Sequence, residues 1–191
     1  MPDQNLSKSE QERQARFSSL RKRRFRNALI WLLVVAAIAG GAYWTVKYSK
    51  KSESRKPGEA IPDLGRNHIA VGTSHDPYNS NPPTSGPHYE EWAKWGIYDE
   101  KLLDEQLIHN LEHGGIWISY RDKDNQDLIN KLKDIAEDYS IKVILTYRPE
   151  NDVPIALAAW TRLLKLENFD EKQIKNFIKA FINKGPEQVP F

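Results

Sequence analysis

Nineteen consecutive residues without a charge, Ala28 to Val46 (ALIWLLVVAAIAGGAYWTV), constrain this chain more than any other feature. In a helix rising about 1.5 Å per residue they reach roughly 28 Å, close to the thickness of one bilayer core. The run is apolar on every face, whereas a surface helix of a soluble protein keeps a polar face. Trp31 lies near one end, and Tyr43 and Trp44 near the other, where amphipathic rings settle among headgroups. We therefore expect one transmembrane helix over residues 28–46. Within about 15 residues on each side there are seven Lys/Arg before the run and five after it. The positive-inside bias then predicts residues 1–27 as a basic cytoplasmic tail at the cell membrane, with the rest of the chain outside. The basic flank also suits anionic lipid headgroups. A cleaved signal peptide is the alternative, since Ala37-Ile38-Ala39 fits a small-residue cleavage pattern. Its n-region would be unusually long, and the apolar run continues past the cut.

Charge divides the chain in the same way. Residues 1–56 carry 13 Lys/Arg and four Asp/Glu, whereas residues 57–191 carry 15 and 22. An acidic globular part argues against nucleic acid as a partner, which needs a basic footprint. Aromatics make up 10% of the chain, too many for a disordered polar tract. The absence of Cys excludes disulfides, zinc fingers, iron–sulfur clusters and a cysteine nucleophile. The single Met is Met1, which excludes a thioether copper(I) site.

Residues 47–66 are rich in Lys, Ser, Glu, Pro and Gly and read as a linker. Residues 67–191 read as one extracytoplasmic domain. It opens on a breaker-rich stretch, Asn79 to His88 (NSNPPTSGPH), whose composition is that of an ordered loop. Asp104 is placed to cap a short helix that Gly114-Gly115 ends. Ile116–Tyr120, Lys142–Tyr147 and Ile155–Trp160 read as strands. Leu128, Ile129, Leu132, Ile135, Ala136 and Tyr139 follow a helical period. A last helix begins at an Asp170/Gln173 capping box and ends at Gly185-Pro186. The expected fold class is α+β, a small sheet of three or four strands with helices packed on it.

All five histidines, His68, His75, His88, His109 and His113, fall within 46 residues. His109 and His113 are spaced i, i+4, so both imidazoles leave one face of the predicted helix. Neutral imidazoles at that spacing can grip one divalent ion. His88, framed by prolines, could join them from the loop, giving a metal set of His88, His109 and His113. Three protein ligands leave an open position, as at exchangeable or reactive sites. Imidazole ligation without sulfur suits copper(II) or zinc. His68 is a weaker candidate, and His75 beside Asp76 reads as a solvated side chain. The bland reading is that the histidines only hydrogen-bond the loop to the sheet.

His109 to His113 also matches H-x-x-E-H, the inverted zinc-protease motif, with Glu112 as general base. That motif needs a continuing helix and a downstream carboxylate. Gly114-Gly115 stops the helix at once, and nothing selects between Glu137 and Glu167. No other catalytic signature is present, so the sequence leaves open whether the chain is an enzyme. Trp92, Trp95, Trp117 and Trp160 suit core and rim packing, or a groove for a partner.

Asn81 to His88 (NPPTSGPH), Gly96 to Asp99 (GIYD) and His109 to Gly115 (HNLEHGG) together resemble one bacterial and archaeal family, that catalogued as domain of unknown function 3105. The likeness covers about residues 65–185. It implies an N-terminal membrane helix, as read above, and no established activity. The leading expectation is a membrane-anchored domain with a histidine metal site. The alternative is a metal-free interaction module for a protein partner in the cell envelope.

Overall fold

The computed structural model describes residues 8–53, 56–139 and 141–187. The chain divides into two compact units, Met1–Arg55 and Lys56–Phe191. In the first, helix α1 runs from Lys8 to Glu53. Within it Leu20–Tyr48 is long and apolar enough to cross a membrane, and none of its most apolar stretch is buried. Leu29, Ile30, Leu32, Leu33, Val35 and Ile38 all stand exposed. Hydrocarbon on every side of a helix has no place in water without a lipid or protein cover. The helix runs beyond residues 28–46 in both directions and takes in the first residues read as linker.

The second unit is α+β, but its main sheet has six strands, not three or four. In chain order they are β1 (Glu59–Ala60), β4 (Gly96–Tyr98), β5 (Ile116–Tyr120), β6 (Val143–Tyr147), β7 (Ile155–Ala159) and β8 (Arg162–Leu166). Across the sheet the order is β1-β8-β7-β5-β6-β4. The pairs β4/β6 and β5/β6 are parallel, while β5/β7, β7/β8 and β1/β8 are antiparallel. A separate two-stranded parallel pair joins β2 (His68–Ile69) to β3 (His88–Tyr89). The strand count was underestimated for physical reasons. Two-residue β1 and three-residue β4 are too short to show a period. The β7/β8 hairpin turns at Trp160-Thr161, which lacks the usual Gly or Asn signal. Thr161 nonetheless takes a left-handed φ of 57° there.

Helices cover both sheet faces. Side chains alternate along a strand. Ile116, Ile118 and Tyr120 of β5 therefore meet one core, with α3 (Gln126–Glu137) and α4 (Glu171–Phe181). Between them Trp117 points the other way, to Leu107 and Leu111 of α2 (Asp104–Glu112). The cap of α4 follows its sequence signal, and α3 has an Asn cap that its hydrophobic period does not mark. Asn125 accepts from the Leu128 amide and Asp170 from the Gln173 amide. The start of α2 departs from its signal. Its N-cap is Leu103, without a side-chain bond. Asp104 instead gives both carboxylate oxygens to Arg148, at 3.0 and 2.7 Å. A bidentate guanidinium outcompetes two backbone amides for one carboxylate.

Candidate metal centre

The parallel β2/β3 pair sets His68 directly opposite His88, and β3 lies against α2. That brings the imidazoles of His68, His88 and His109 together, with one ligating nitrogen from each within 4.8 Å of the others. His88 is fully buried and His109 nearly so. The His68 side chain is 43% exposed, so the cluster opens to solvent on that side.

The loop that carries His88 is pinned by its neighbours. Gly86 donates to the Gly65 carbonyl and His88 to the Asn67 carbonyl, both at 3.0 Å. The Tyr78 hydroxyl donates to the Pro87 carbonyl at 2.6 Å, and Ser85 Oγ accepts from the Leu64 amide at 3.0 Å. Arg148 holds the far end of the loop. Its Nη1 binds Asn81 Oδ1 and also Asn151 Oδ1, and its guanidinium lies 5.6 Å from the Trp117 ring centre. One cation thus ties the loop, the start of α2 and the sheet together. Asn110 adds a second tie. Its amide side chain accepts from the Ala93 N–H and donates to the Ala93 carbonyl, at 3.0 and 2.8 Å.

The hydrogen bonds of the rings fix which nitrogen is free. His88 Nδ1 lies 2.7 Å from the Gly86 carbonyl, and His109 Nδ1 lies 2.7 Å from the Tyr89 carbonyl. A carbonyl only accepts, so each Nδ1 carries the proton. Each Nε2 is then the nitrogen left to accept or to ligate. This is how backbone carbonyls orient histidine ligands around metals. His88 Nε2 lies 2.8 Å from Glu112 Oε2, which is itself buried. A ring lone pair and a carboxylate at that distance need a cation between them, either a proton or a metal ion. His68 Nε2 is 3.7 Å from the same oxygen, and Arg66 Nη1 is 3.6 Å from Oε1. Burial pushes His109 and His113 below the usual histidine range, keeping both rings neutral and able to ligate near pH 7. For His109 the bond to the Tyr89 carbonyl opposes this, and the neighbouring imidazoles reinforce it.

A family model described as "Protein of unknown function (DUF3105)" matches residues 68–190. The chain belongs to this family. No curated protein matches the chain, and no solved structure does. The DUF3105 match begins on the first histidine of the cluster and includes His88, His109, Glu112 and His113.

Within this DUF3105 domain the structure brings His109 and His113 together, as their spacing predicts. Their Nε2 atoms lie 3.1 Å apart. His113 nevertheless falls outside the three-histidine group, and His68 takes its place. The helix is the reason. Glu112 is its last residue, and His113 already has cap geometry at φ −80° and ψ 14°. Gly114, at φ 76°, then ends the turn. Glu112 faces His88, His68 and Arg66, and a second carboxylate, Glu187, lies 3.9 Å from His113 Nε2. Glu137 belongs to α3, and Glu167 follows β8. His75 is not free in solvent. Its Nε2 lies 3.4 Å from Glu105 Oε1, and its ring rests against Tyr78. Of the tryptophans, Trp117 is core, with its Nε1 donating to Thr146 Oγ1 at 2.8 Å. Trp92 is 46% exposed and lies over both His109 and His113, at 5.4 and 5.0 Å. His68 sits in a two-residue strand, so only its pairing with His88, invisible in the sequence, would have promoted it.

Proposed function

We propose that this chain is a single-pass membrane protein whose folded domain binds one divalent transition metal, zinc or copper(II). His88 and His109 are the core ligands, His68 completes the set on the open side, and His113 stands next to His109. The observation that carries the reading is the pair of Nδ1–H bonds to the Gly86 and Tyr89 carbonyls. They fix two buried rings beside a third imidazole and leave Nε2 as the ligating atom of each. One ligating nitrogen of each of the three rings lies within 4.8 Å of the others. The imidazole set and the absence of cysteine thiolates support copper(II) or zinc over copper(I). An open position on the His68 side fits metal handling or a metal-assisted step better than a closed structural site. Residues 28–46 would cross the cell membrane, with the tail 1–27 in the cytoplasm and residues 67–191 outside beyond the 47–66 segment.

Elemental mass spectrometry of the full chain in detergent, purified without a histidine tag, tests the site. We expect about one equivalent of metal in wild type and none in His109→Ala. A wild type without metal, and without uptake from added zinc or copper(II), would leave the cluster as scaffold and favour an interaction module of the envelope. Topology has a clean test because the chain lacks cysteine. A single cysteine at exposed Lys123 should react with a membrane-impermeant maleimide in intact cells. Labelling only after lysis would reverse the orientation.

A further inference from the structure

We propose that His113 and Glu187 form a relay station through which a divalent metal ion reaches and leaves the His68–His88–His109 cluster. The inference rests on the metal-centre reading above. His109 Nδ1 is committed to the Tyr89 carbonyl, so Nε2 is its only ligating atom. His109 is a member of the inner group, and its Nε2 also lies 3.1 Å from His113 Nε2. Two nitrogens on one tetrahedral zinc ion, each at about 2.0–2.1 Å, stand about 3.3 Å apart. Glu187 Oε2 is 3.9 Å from His113 Nε2. His109, His113 and Glu187 therefore follow one another outward, each within reach of the next, and His109 is the member shared with the inner group.

One lone pair serves one ion, so the inner group and the outer pair, His113 and Glu187, are occupied in turn. An ion moving between them exchanges His68 and His88 for His113 and Glu187 while staying on His109. The step is ligand exchange without change of oxidation state. His113 carries its proton on Nδ1 while its Nε2 ligates. Exposure rises along this path: His88 is 0% exposed, His109 3% and His113 6%, and the Glu187 side chain is 51% exposed. The main chain holds the outer carboxylate in place. Glu187 donates its amide to the Glu112 carbonyl at 3.1 Å, and Asn183 donates to the Gly114 carbonyl at 2.8 Å. A side chain at Gly185 would run into the Glu112 carbonyl, so only glycine permits this approach. The competing route is direct exchange across the half-exposed His68.

The test uses the full chain in detergent with zinc as the probe. Zinc loading and zinc release to EDTA are followed by stopped flow. A relay lowers the barrier in both directions. His113→Asn should therefore slow loading and release alike, by about tenfold, which corresponds to about 1.4 kcal/mol of barrier. Glu187→Gln should slow both by about threefold. A ligand that merely holds the ion would give the opposite sign, with faster release. Wild-type rates or faster release in the variants would overturn the relay and leave the metal centre standing. A wild type that binds no zinc would overturn both. If His113→Asn does not fold, Glu187→Gln, on an exposed side chain, decides alone.

Discussion

Hydrocarbon holds the sheet to α3 and α4, whereas main-chain carbonyls and a few buried polar side chains hold the segment that carries the histidines. In the first region Leu132, Ile174, Phe177 and Ile178 are fully buried, and their contacts are interchangeable in kind. In the second, Arg148, Asn110, Asn81 and Ser85 each make one irreplaceable set of bonds. Apolar burial is tolerant of small displacements because it depends on area. Hydrogen bonds depend on angle and distance, so they hold a ring nitrogen where an ion needs it. The scaffold is thus built for stability and the loop region for position.

The contrast predicts two kinds of variant. Phe177→Ala removes a fully buried ring that packs 4.9 Å from Phe181. We expect a loss of about 4 kcal/mol in urea denaturation of the full chain, the range for buried aromatic truncation. The folded fraction should still carry its metal. Loss of metal from folded protein would show that the two regions are not separable.

Arg148→Met comes next. It leaves Asp104 without its bidentate partner and releases Asn81 and Asn151. Removing one member of a buried pair costs about 3 kcal/mol. Because Arg148 joins both regions, we expect stability and metal retention to fall together. Asn110→Ala is smaller and more selective. It strips the Ala93 N–H and carbonyl of their partners, at about 2 kcal/mol. Asn110 lies between His109 and Glu112 in sequence, so metal affinity, measured by competition with a chelator, should drop by more than stability does. Equal losses would make Asn110 an ordinary structural residue.

The same division decided what could be read from the sequence. The helices α3 and α4, the Asp170 cap, and strands β5 to β7 rest on hydrophobic period and a capping residue, which are local signals. The histidine cluster was legible only as far as local spacing reaches. His109 and His113 do meet, and His88 does approach from the proline-framed loop. His68 joins through a cross-strand pairing with a residue 20 positions away, which no period records. Asp104 was misread as a cap because Arg148, 44 residues downstream, takes its carboxylate. Long-range polar bonds carry no sequence signature of their own, and they are what this site is made of.

Asn125→Ala is the smallest expected effect and the control for the rest. Asn125 Oδ1 accepts from the Leu128 amide at 3.1 Å, at the start of α3. Losing an N-cap costs about 1 kcal/mol. The helix it caps packs on the face of the sheet opposite α2, and its buried residues belong to the apolar core with Phe177. If that core serves only as support, the urea midpoint should fall while zinc affinity and the rates of loading and release stay at wild-type values. A change in affinity without a change in the transition midpoint would mean that α3 bears on the histidines through the sheet. The separation of scaffold from site would then fail at its mildest perturbation, before any core cavity or unpaired charge is involved.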